Sequence, residues 1–186
     1  MMESLSRKKD RIYLTGFMGS GKSTVGSILA NTLGYGFVDI DQGIEQAEGK
    51  TVSEIFREKG EEYFRNLEQS LLLRVSALPH TVISLGGGTV VEEENYRLIK
   101  KTGILVYLKL APEEIFRRMQ RRTDRPLLTD AGGERLPEGE LRARIETLYR
   151  EREPVYSTAD LIIASDETRV GLTVDRIVKA LSPLLK

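Results

Sequence analysis

Gly16, Gly21, Lys22 and Ser23 stand at the spacing G-x-x-x-x-G-K-S inside the stretch GFMGSGKST. Those residue types at that spacing can cradle a phosphate. Glycines let a backbone turn sharply and aim its N–H groups at an anion. A lysine reaches the β- and γ-phosphates, and a serine hydroxyl ligates Mg²⁺. Gly19, Ser20 and Thr24 complete the expected nucleotide loop. The rival reading is a flexible turn. It is disfavoured by the setting, an apolar run before the motif and a helical pattern after it.

Further along, the stretch DID holds Asp39 and Asp41. Read as extended chain, both carboxylates point the same way; one orders the water around Mg²⁺ and the other meets an acceptor hydroxyl. In FRNLE, Arg65 and Glu68 share a helical face; in isolation such a pair is a surface ion pair of small energetic worth. Gly86, Gly87 and Gly88 follow an apolar run, where glycines permit a ligand to approach the backbone closely or simply make a turn. RRTDRPLL gathers arginines ahead of a long polar stretch, TDAGGERLPEG, of the kind that is either a lid or disordered.

The elements that must hold these groups alternate. Short apolar runs at 11–16, 36–41, 81–88, 103–110 and 160–165 read as strands. Helical patterns fall between them, at 23–34, 51–60, 61–79, 92–103, 111–122 and 141–153, with a last one from 170. Thr51 and Glu54 have capping-box spacing, and Pro154 is expected to end its helix. Strands apolar on both faces suit a covered parallel sheet. The expected fold is α/β, a five-stranded parallel sheet with helices on both faces. Such sheets bind ligands at the carboxyl ends of their strands, where this chain puts its glycines and acids.

With 186 residues, 28 basic side chains against 28 acidic ones and no cysteine, the chain fits one domain without disulfides, thiolate metal sites or a global basic field. The first ten residues read as a loose tail. No run is long enough for a signal peptide or a membrane span, and the expectation is a cytoplasmic monomer that binds neither nucleic acid nor membrane. A switch GTPase would carry a base-reading N-K-x-D, and none occurs. A motor ATPase usually has an acid ending its third strand; here that strand reads ISLGGG.

In the order GFMGSGKST, DID, FRNLE, SLGGG, RPLL, REREPVY, the motifs resemble those of shikimate kinases, over a span from about Arg11 onward. The resemblance implies a P-loop fold like that of the nucleoside monophosphate kinases, with an acceptor-binding segment near 41–70 and a lid near 123–139. It implies transfer of the ATP γ-phosphoryl group to the 3-hydroxyl of shikimate, with Mg²⁺. By that likeness Asp39 is the metal-side acid beside Ser23, and Asp41 faces the acceptor hydroxyl. Arg65 and Arg152 bind the shikimate carboxylate, Glu68 holds Arg65, and Gly86, Gly87 and Gly88 lie beside the ring. Phe56 and Phe64 pack near the acceptor, Arg125 reaches the transferring phosphoryl, and Arg122 covers the adenine. The alternatives are another small-molecule kinase of the same fold, such as a gluconate kinase, or a nucleotide-binding module without an acceptor.

Overall fold

The protein is described from a computed structural model covering residues 9–120, 128–129, 136–165 and 169–185. Arg122, Arg125, most of the expected lid and the tail up to residue 8 lie outside the described residues.

The elements run β1 (Arg11–Thr15), α1 (Lys22–Leu33), β2 (Gly36–Asp39), α2 (Ile40–Glu48), α3 (Val52–Val75), β3 (Thr81–Ser84), a 3₁₀ turn (Thr89–Val91), α4 (Glu93–Thr102), β4 (Ile104–Lys109), α5 (Pro112–Met119), α6 (Glu138–Tyr156), β5 (Leu161–Ala164) and α7 (Val170–Leu181). All five strands are parallel, in the order β2-β3-β1-β4-β5. β1 lies in the middle, and its register sets Leu14 against Ser84, which in turn faces Asp39 on β2. The ends of β1, β2 and β3 are thereby brought side by side.

Alternation along the strands divides the core in two. Ile12, Leu14, Val82 and Val106 pack under α1 and α7. Tyr13, Ile83, Leu105 and Tyr107 face residues of α2, α3, α4 and α6, among them Ile44, Leu72, Ile99 and Tyr156. A third apolar cluster joins Phe17 and Met18 to α5 and α6. The helices therefore cover both faces, as the apolar strands required.

Two sequence expectations change. The strand 36–41 stops at Asp39, which is extended (φ −103°, ψ 122°), accepts the Gln42 N–H on its carboxylate and so caps α2. Asp41 therefore sits in a first helical turn, and the two acids do not share one extended chain. The capping bond outweighs continued pairing, because an aspartate satisfies an orphan N–H that a helix start leaves open. Pro154 does not end its helix: α6 runs through it to Tyr156. A proline in the last turn forfeits one N–H bond, and burial of Tyr156 in the core offsets that loss. The division between the helical patterns at 60 and 61 is real but small. Gly60 breaks α3 with φ 84° and ψ 171°.

Candidate active site

The phosphate loop leaves β1 at Gly16, whose φ of +146° is reserved for glycine; a methyl group there would stand 2.6 Å from the Leu108 carbonyl oxygen. The loop turns back through Ser20 N–H to the Phe17 carbonyl, 3.1 Å. Its carbonyls are engaged elsewhere. Lys22 Nζ donates to those of Gly16 and Phe17 at 2.9 and 3.2 Å, Arg118 Nη1 to that of Gly19 at 2.9 Å, and Ser165 Oγ to that of Ser20 at 2.7 Å. α1 starts after Gly21 with no capping side chain, and Ser23 and Thr24 lie exposed in its first turn. A helix start of this kind favours a bound anion through the helix dipole.

Ser23 Oγ donates to Asp39 Oδ2 at 2.6 Å. The hydroxyl and the buried carboxylate form a pair of hard oxygen donors beside the loop. Among the described residues no group of three acids or histidines could hold a metal by itself. An ion of Mg²⁺ type fits such a site, because it keeps waters and binds through one or two protein oxygens plus phosphates.

Next to the loop opens a cavity. Asp41 lines it from α2, and Phe56, Phe64, Arg65 and Glu68 from α3. Gly86, Gly87 and Gly88 line it from the end of β3, and Arg152 from α6. Every described residue expected at the acceptor thus faces one space. Phe56 and Phe64 pack with their rings tilted and centroids 4.8 Å apart. Arg65 is held at two points, by Glu68 at 2.8 Å and Glu61 at 2.9 Å. Burial works against its charge, yet the two carboxylates outweigh that and hold the guanidinium above its ordinary value. Glu68 is fully buried, and burial pushes its carboxyl up in spite of Arg65. Its second oxygen accepts from the Thr89 hydroxyl. Two glycines leave room for these side chains: a methyl group at Gly86 would strike Glu68 Oε1, and one at Gly88 would lie 2.6 Å from Arg65 Nη2.

The family sequence model for shikimate kinase matches residues 18–182. The chain belongs to the shikimate kinase family. It is 48% identical over 170 residues to the shikimate kinase of Chlorobium limicola, covering 91% of this chain and 85% of that protein. Among solved structures it resembles shikimate kinase from Acinetobacter baumannii in complex with shikimate, with a TM-score of 0.86, 33% identity and 96% of each chain covered. The shikimate kinase of Bacteroides thetaiotaomicron gives 0.83 at 36% identity, covering 92% of this chain and 97% of that one. A gluconokinase from Sinorhizobium meliloti, at 20% identity and 0.58 over 96% of this chain and 95% of its own, shares the fold.

Sequence reasoning missed Met18 and Val52, which also line the cavity. Met18 occupies a free position of the glycine motif, and Val52 is the first residue after the Thr51 cap, so neither carries a chemical signal. It also passed over Arg118. That arginine of α5 bonds Glu114 at 2.7 Å and the Gly19 carbonyl at 2.9 Å, which places it against the phosphate loop.

Proposed function

We propose that the cavity takes shikimate with its carboxylate between Arg65 and Arg152 and its 3-hydroxyl at Asp41, and that the product is shikimate 3-phosphate. The activity behind this assignment is that of the family to which the chain belongs: phosphorylation of shikimate with ATP as co-substrate. The observation that carries the placement is one space, walled by Asp41 and two arginines, opening beside a phosphate loop. Acid and cations are arranged there as a small anionic alcohol requires.

In this reading Gly16, Gly19, Ser20, Gly21, Lys22, Ser23 and Thr24 hold the ATP phosphates, with N–H groups and Lys22 countering their charge. Arg122 and Arg125 act from the nucleotide side and the lid. Ser23 and Asp39 would hold Mg²⁺, which would supply charge neutralisation at the phosphates. Asp41 orients the acceptor hydroxyl and takes its proton as the new O–P bond forms and ADP departs. The transition state is loose, so positioning and charge neutralisation carry most of the acceleration. Phe56, Phe64 and the glycine wall exclude water from the ring.

A monomer in the cytoplasm, with no nucleic-acid partner, completes the proposal. Among the described residues, no helix is long and apolar enough to cross a membrane.

The test is ADP release measured with shikimate, gluconate and nucleoside monophosphates as acceptors, with and without Mg²⁺. Turnover with shikimate alone, dependent on Mg²⁺, is expected. Preferential turnover of gluconate would move the assignment to another small-molecule kinase of the same fold, such as a gluconate kinase. ADP release indifferent to every acceptor would mean a nucleotide-binding module that hydrolyses ATP.

A further inference from the structure

The two arginines of the cavity are held in unlike ways. Arg65 is gripped by Glu61 and Glu68. Arg152 is 7% exposed and has no carboxylate partner among the described residues. A buried guanidinium without a counter-ion is unfavourable unless dipoles hold it or a ligand supplies the charge. Arg152 lies over the face of Phe17, 5.9 Å from the ring centroid. Close to it lies the hydroxyl of Tyr156, one helical turn further along α6.

Tyr156 is fully buried, and its hydroxyl donates to the Gly87 carbonyl. A phenol has one hydrogen. With that hydrogen given to Gly87, the oxygen has only lone pairs left to offer the nearby Arg152 guanidinium. Burial pushes the phenol up to about 12, so the hydrogen remains at neutral pH. A methyl group at Gly87 would stand 3.1 Å from Arg152 Nη1 and 3.8 Å from the Tyr156 hydroxyl. Glycine loop, phenol and guanidinium therefore meet at one corner of the cavity. Tyr156 does not itself line that cavity.

We propose that Tyr156 is a positioning residue for the acceptor: its hydroxyl ties one edge of the Arg152 guanidinium to the glycine loop, so that the rest of the fork faces the substrate carboxylate. The inference rests on the cavity being the shikimate site. It also explains why α6 continues through Pro154. A helix that stopped at Glu153 would not carry the phenol to Gly87.

Tyr156→Phe keeps the ring and its packing against Tyr107, whose centroid is 5.1 Å away. The expected result is a KM for shikimate raised roughly tenfold or more, the effect of losing one hydrogen bond to a charged group, with kcat and the KM for ATP nearly unchanged. Tyr107→Phe is the control, because that buried hydroxyl bonds Glu153 instead; it should leave the shikimate KM where it was. In an Arg152→Lys background, Tyr156→Phe should add little, since the fork it positions is gone. An equal rise in both KM values, the same rise from Tyr107→Phe, or full additivity with Arg152→Lys would overturn the proposal. Should Tyr156→Phe lower the melting temperature below that of the assay, shikimate binding measured calorimetrically in the cold replaces the kinetics, and an unchanged Kd overturns it. Absence of shikimate turnover in the parent protein would instead refute the site reading itself, before any variant is compared.

Discussion

At the phosphate end of the proposed site, the loop is one continuous stretch, 16–24, and offers mostly backbone groups. At the acceptor end they are side chains of α2, α3 and α6 together with the glycine wall after β3, from Asp41 to Arg152 along the chain. The first end depends on local dihedral angles, such as φ +146° at Gly16. The second depends on how separate elements pack. The phosphate end therefore tolerates changes around it and fails when its own backbone is altered. The acceptor end fails whenever one of its scattered supports moves.

The largest effects should come from the charged groups at the centre of each end. Asp41→Asn preserves shape and removes the proposed proton acceptor, so kcat should fall by about 10²–10⁴-fold. Lys22→Ala removes a cation from the phosphates, and a loss of about 10²–10³-fold is expected, by analogy with deleting one oxyanion donor. Both proteins should show the parent circular dichroism spectrum. Near-parental kcat in a folded Asp41→Asn protein would send the search for the base to Asp39.

A pair of glycine substitutions separates the two modes of construction. In Gly16→Ala the new methyl meets Leu108 O at 2.6 Å in a backbone conformation closed to other residues. Strain of about 1–3 kcal/mol is expected, read as a lower melting temperature and a higher KM for ATP. Gly88 has φ −101°, open to any residue, and the atoms nearest its methyl would be those of the Arg65 guanidinium. Gly88→Ala should raise the KM for shikimate roughly tenfold by costing a charge-assisted hydrogen bond, with the melting temperature and the KM for ATP little changed. Identical kinetic signatures from the two variants would break the comparison.

Arg65→Lys keeps the charge and can still pair with Glu68, but an ammonium cannot meet a carboxylate as a planar fork. Expected is a roughly ten- to hundredfold loss in kcat/KM for shikimate. A shikimate analogue amidated at the carboxylate should lose little more in the variant than in the parent. Equal losses for acid and amide would leave Arg152 as the carboxylate's reader.

The smallest effect lies outside both ends. Thr51 caps α3 in a reciprocal box with Glu54. Thr51→Ala should cost about 1 kcal/mol of stability and leave both KM values unmoved. A shift in shikimate KM would show that the start of α3, through Val52, is part of the acceptor wall in function as well as in place.

Much of this was legible beforehand, for reasons that differ by region. The strand order of events along the chain and the capping of α3 follow from apolar periodicity and turn chemistry, which act over a few residues. The D-x-D reading went astray because a strand end and a helix cap look alike in composition, and only the hydrogen bond from Gln42 to Asp39 decides which is present. Pro154 was misread as a stop because its local cost is visible in sequence, whereas the core contact of Tyr156 that offsets it is not.

The sequence by itself determined the phosphate loop, since its geometry is written in consecutive residues whose backbone freedom glycine alone supplies. It also determined the alternating α/β order and, through likeness to a family, the residues to watch at the acceptor. Only the tertiary structure decided that Asp41, Arg65, Gly88 and Arg152 face one cavity, that Glu68 is buried against Thr89, and that Arg152 lies near a phenol, with no acid paired to it among the described residues. Those facts arise from the strand order β2-β3-β1-β4-β5 and the packing of α3 and α6 upon it, contacts between residues far apart in the chain that no local pattern encodes.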